Sequence, residues 1–125
     1  MQSQDLQGFV SVAVAGLAEL LRTYGKFIRA MIQLSQTDSV IAAHGRRVYA
    51  DHERRFRACL LRCRRAGWQG EVDDAAVFCF RVIYDVVGAQ LGFRQGARIE
   101  ESQWSVMVDS LTSMMFVYLS AVRSE

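Results

Sequence analysis

Apolar residues return every three or four positions along most of this chain, the period of a helix with one buried face. The first such stretch runs from about Asp5 to Leu34, by way of Leu6, Val10, Leu17, Leu21, Ile28 and Met31. Thr23 and Gly25 weaken its middle, which predicts a kink near Tyr24 and two helices in place of one. The segment SQTDS follows, and its Thr37 or Asp38 can accept the free N–H groups of the next helix. That helix is expected to reach Ala66 and stop at Gly67, a residue suited to the left-handed position past a helix end. After WQGEVDD, where Asp73 or Asp74 is placed to cap, a third apolar stretch runs to the glycines of GFRQGA. A fourth spans Glu100 to Val122. The expected fold is all-α, a bundle of about five helices forming one domain over residues 1–125.

Composition narrows this further. No proline and no Asn-Gly or Asp-Gly pair leaves little punctuation for a sheet. The three cysteines, Cys59, Cys63 and Cys79, are an odd number set in helical patterns, which points to a reducing cytoplasm and away from a disulfide framework. FVSVAVAGLAELL resembles a signal sequence in its apolarity alone. Asp5 precedes it and Glu19 interrupts it, so it reads as an amphipathic helix, and no membrane span is expected.

Charge is concentrated in RRVYADHERRFRACLLRCRR, residues 46 to 65, where eight arginines face only Asp51 and Glu53. At about 100° per residue, Val48, Tyr49, His52, Phe56, Cys59, Leu60 and Cys63 share one sector and the arginines fall on the opposite half. Asp51 stands four before Arg55, and Glu53 four before Arg57, the favourable order for exposed pairs. A solvated helix face explains this arrangement. A phosphate-binding surface would also use arginine, but no base-reading helix or aromatic stacking platform accompanies it.

The last two helices carry more apolar surface than one core needs. On the third, Arg81, Asp85, Gly88 and Gly92 form a narrow polar or small stripe, with Arg81 and Asp85 spaced to pair. On the fourth, a bulky seam (Trp104, Met107, Leu111, Met114, Met115, Leu119) is matched by a smaller one of Val106, Ser110, Ser113, Val117 and Ala121. A homodimer formed through the stripe and the smaller seam is the expectation; a helix sandwiched inside one subunit is the alternative.

Candidate chemistry is sparse. His44 and His52 diverge by about 80° on their helix, and Cys59 with Cys63 offers two thiols and no third ligand, so no metal is expected. His52 and Cys59 share a face without an orienting acid, and no nucleotide, zinc-protease or serine-hydrolase motif occurs. No catalytic residue and no cofactor is assigned. An adaptable apolar pocket is the remaining candidate. Gln90 and His52 are polar groups on apolar faces, in want of partners. Phe27, Met31, Phe56, Cys59, Phe78 and Ile83 supply the aromatic, sulfur and aliphatic surface that such a pocket uses.

In this order, GLAELLRTYGKFIRAMIQLSQTDSVIAAHGRRVYADHERRFRACLLRCRRAG followed by GEVDDAAVFCF resembles the C-terminal half of TetR-family transcriptional regulators, from about Leu6 to Leu119. The resemblance implies a ligand-sensing domain that dimerises as a four-helix bundle through its last two helices, here about 73–95 and 100–122. It implies a pocket near His52, Phe56 and Gln90 for a small, mainly apolar or aromatic effector whose binding releases an operator. The family's N-terminal helix-turn-helix has no counterpart in MQSQDLQGFV, so DNA contact is expected only through a domain not present here. The rival expectation is a structural helical dimer or adaptor with a filled interior.

Overall fold

In the computed structural model the described residues, 3–65, 71–93 and 101–121, form five α-helices and one 3₁₀ turn, with no strand among them. The helices are α1 (Ser3–Thr23), α2 (Gly25–Ser35), α3 (Ser39–Arg65), α4 (Val72–Gln90) and α5 (Trp104–Ala121), with the 3₁₀ turn at Glu101–Gln103. The all-α reading holds. The expected stop at Ala66–Gly67, the Cys63 side chain, Gly96, Glu100 and Val122 lie outside the described residues or side chains.

The first apolar stretch does divide at Tyr24, whose φ of −101° and ψ of 13° sit in the bridge region between helical and extended backbone. Hydrogen bonds still run through the bend, Tyr24 N–H to the Leu20 carbonyl and Ile28 N–H to that of Tyr24. Asp38, and not Thr37, caps α3: its Oδ1 accepts from Val40 N–H at 2.9 Å and Ile41 N–H at 3.2 Å. Thr37 instead donates its hydroxyl to the Leu34 carbonyl. At α4 the expected cap is corrected. Glu71 occupies the position without a side-chain bond, while Asp73 and Asp74 lie in the first turn, where the helix dipole favours them.

The core lies among α1, α3, α4 and α5. Leu6, Val10, Val14, Leu17, Ala18 and Leu21 bury one face of α1, and Leu111, Met115 and Leu119 do the same for α5. Between them α4 buries Ala75, Ala76, Cys79, Phe80, Ile83 and Val87. By length and composition Leu6–Thr23 is apolar enough to cross a membrane, although no membrane span was expected. Its buried side chains are nonetheless committed to α4 and α5.

Helix α4 ends in a Schellman turn: Phe93 N–H donates to the Gly88 carbonyl at 2.8 Å, and Gly92 takes the left-handed φ of 77°. The turn folds the buried Phe93 ring over Gly88, where an added Cβ would meet Phe93 Cδ2 at 2.8 Å. Gly88 and Gly92, expected as a smooth strip for a neighbouring helix, thus serve the chain's own turn. Gly88→Ala should destabilise the fold by about 1–3 kcal/mol, because the pinned ring cannot withdraw without strain. Urea denaturation measures this; an unchanged midpoint would mean that Phe93 is not held against α4.

Candidate functional site

Helix α2 packs against α3 and α1 but makes no close backbone approach to α4 or α5. The N-terminal half of α3 therefore lies between α2 and the Tyr49 contacts with α4, without being fully covered by either. No residue between Ser39 and Arg55 is buried, although Ala42, Gly45, Val48 and Tyr49 are apolar or small. The gap is a cleft of about 650 Å³ between α2 and α3, within the range of small-molecule sites. Its lining is mainly apolar. Leu20 and Tyr24 contribute from the α1–α2 junction, Phe27, Ile28, Met31, Ile32 and Ser35 from α2, and Tyr84 from α4. The α3 floor is Ala42, Gly45, Val48, Tyr49 and His52, edged by Arg46 and Arg55.

Behind this floor stands an aromatic cluster. The Tyr49 ring meets Phe80 edge-on at 5.0 Å and Tyr84 at 4.9 Å, and Phe80 also lies against Phe56 and Tyr84. Such edge-to-face pairs fix ring orientation beyond simple apolar contact. The Arg81 guanidinium lies near Tyr49, so its charge reaches from the outer side of α4 to the floor of the cleft. Burial raises the pKa of both Tyr49 and Tyr84, keeping the two phenols neutral.

His52 is the unusual member. Its Nδ1 is buried without a hydrogen-bond partner among the described residues. Burial first, and then the neighbouring Arg55 charge, lowers the imidazole pKa below 6.5, against a weaker opposite pull from Asp51. A neutral ring on the cleft wall whose Nδ1 is shut away from solvent and unsatisfied is a costly arrangement for a protein interior.

Of the eight residues expected to bind a ligand, Phe27, Met31 and His52 line the cleft. The other five are placed elsewhere. Phe56 and Cys59 border a different gap of only about 10 Å³, between α1, α3 and α5, too small for an effector. Ile83 is wholly buried in the core. Phe78 is exposed on the outside of α4, its ring 4.8 Å from that of Tyr118. Gln90 is 4% exposed with its Oε1 unpartnered, but it lines neither gap. Helical projection grouped these residues by face, and α3 and α4 each present a face to more than one neighbour. Tyr24 and Ile28 were legible as part of an apolar seam, and Ile32 was not picked out; that the seam would be left half-covered was not legible either.

The arginines also divide. Arg57 does not turn to Glu53 but crosses to Asp73 of α4, Nε to Oδ1 at 2.7 Å. Arg55 pairs with Asp51 at 3.2 Å as expected. Arg46 and Arg55 are not wholly on the wet side, since both reach the edge of the cleft. Cys59 and Cys79 are free thiols, and burial pushes that of Cys79 up to about 12, which makes it core and not nucleophile.

The outer face of α4 and α5 is the second candidate surface. Arg81, Asp85, Val106, Ser110, Ser113, Val117 and Ala121 are all exposed, Val106 at 64% and Val117 at 66%. Phe78, Val86 and Met114 extend the apolar area around them, although Met114 was expected on the core seam. No family model matches the chain, and comparison with curated proteins and with solved structures found no match.

The depressed His52 pKa has a consequence for stability. On acidification the unfolded chain takes up this proton first, so the stability present above pH 6.5 is lost as pH falls through the folded value. The melting temperature of the wild type should therefore fall more between about pH 8 and about pH 5 than that of His52→Gln. Parallel curves for the two would show that His52 is not held neutral.

Proposed function

We propose that this chain is the effector-sensing and homodimerisation domain of a TetR-like repressor working in the cytoplasm, with no catalytic role. The observation that supports it is the 650 Å³ cleft, apolar in its walls and edged by the unsatisfied His52. Its effector is a small, mainly apolar or aromatic molecule. Operator contact in this reading needs a helix-turn-helix supplied from outside these residues.

The exposed apolar face of α4 and α5 supports the dimer, as two copies of it would form a four-helix bundle and remove Val106, Met114 and Val117 from water. Coupling between effector and dimer has a plain route. Tyr84 lines the cleft from the same helix that presents Arg81, Asp85 and Val86 outward, so a ligand that displaces Tyr84 acts on the dimer helix itself.

Light scattering at low micromolar concentration, and again about tenfold higher, should give twice the chain mass of 14.1 kDa. Val117→Asp should return a monomer of unchanged helicity, since the site is exposed within one chain and charged in the variant. A wild-type monomer at both concentrations removes the dimer.

A thermal-shift screen of small apolar compounds tests the sensing role. A ligand present at a hundred times its dissociation constant stabilises the fold by about 2.7 kcal/mol. The shift should vanish in Ile32→Trp, which fills the cleft. A compound that stabilises both proteins equally acts elsewhere. If no compound acts while a helical peptide does, the chain is an adaptor.

A further inference from the structure

The cleft is electrostatically one-sided. Its lining holds Arg46, His52 and Arg55 and no carboxylate. On α3, at about 100° per residue, Gly45, Val48, Tyr49 and His52 make the floor while Arg46 and Arg55 fall at opposite edges. Arg55 stands one turn from His52, close enough for its charge to act on the imidazole more strongly than that of Asp51. Although Arg55 already meets Asp51 at 3.2 Å, a guanidinium carries five N–H donors, and one carboxylate does not exhaust them. Among the described residues no acid pairs with Arg46. The local field at the buried Nδ1 of His52 is therefore positive.

A ligand that matches this lining has two parts. The body is apolar, to cover Tyr24, Phe27, Met31 and Tyr84. The head is an anion, to accept from Arg55 at the edge of the cleft beside His52. A cation would meet Arg46 and Arg55, of which only Arg55 has an acid beside it, Asp51. Phe27, 63% exposed at the mouth, offers an aromatic face that such a body would cover.

We propose that the cleft binds an apolar monocarboxylate, its carboxylate held by Arg55 at the edge beside His52 and its hydrocarbon or aromatic body laid along α2. This rests on the reading of the cleft as an effector site and names the chemical class of the effector. Charge-assisted hydrogen bonds of this kind discriminate by about tenfold or more against a neutral head.

The test compares decanoate, decan-1-ol and decyltrimethylammonium by calorimetry, with the Met31 methyl resonance reporting occupancy of the cleft. Wild-type protein is set beside Arg55→Gln, at the edge of the cleft, and Arg47→Gln, which removes the same charge outside it. Decanoate should bind at least about tenfold tighter than decanol, with the ammonium weakest. Arg55→Gln should cancel most of that preference, and Arg47→Gln should leave it. Both positions are exposed, so both variants should fold as the wild type does. If decanol shifts Met31 and binds as tightly as decanoate, the anion proposal is overturned while the effector site stands. If Arg47→Gln and Arg55→Gln weaken decanoate equally, the head is not held where stated, and the proposal falls. If none of the three moves the Met31 signal, the effector site falls with it.

Discussion

The core is held through α4, which packs one side against α1, α3 and α5 and leaves its outward side bare. Cys79, Phe80, Ile83 and Val87 are fully buried where α1, α3 and α5 close on its inner side. Each such side chain contributes about 1.5–3 kcal/mol by leaving water, so the arrangement is held chiefly through this helix. Phe80 shows how. Its ring touches Tyr49 and Phe56 on α3 and Tyr84 on α4 itself, tying two turns of α3 to the centre of the core. The turn at Gly88–Phe93 finishes the helix and caps the cluster from its end.

Helix α2 packs on α3 and the end of α1, with its first residue, Gly25, near Leu91 and Phe93 beyond α4, and it is too short to cover both the floor and the flank of α3. The cleft is what remains. Its depth ends at Tyr84, where α4 shows through between α2 and α3. A void left by helix geometry need not bind anything. This one carries a buried imidazole nitrogen without a partner and two cations at its edges, which is more than packing requires. The same α4 is bare on its outward side, so one helix carries the wall of the cleft, the centre of the core and an apolar outer surface.

The arginine-rich helix takes its meaning from these contacts. Arg57 clamps the start of α4 through Asp73, and Arg22 near the end of α1 lies over the Trp104 ring, 4.8 Å from its centroid, while pairing with Glu101. These are exposed pairs and hold little energy singly. They fix the ends of α4 and α5 in register with the helices beneath, and leave Arg46 and Arg55 at the cleft.

What was readable from the sequence was local. Period, the break at Tyr24, the Asp38 cap and the buried sides of α1 and α5 depend on residues within a turn or two of each other, and a helix obeys such neighbours directly. The surplus apolar surface on α4 and α5 was readable for the same reason, as was the candidacy of Phe27, Met31 and His52. Which apolar faces meet and which stay open was decided only by tertiary structure. Ile83 went to the core, Phe56 and Cys59 to a nearly filled gap, and Ile28 and Ile32 to the cleft, though all lie on equally apolar stripes. A stripe records that burial is favourable. It does not record how many neighbours can reach it, because that depends on helix lengths and on which helix holds the centre.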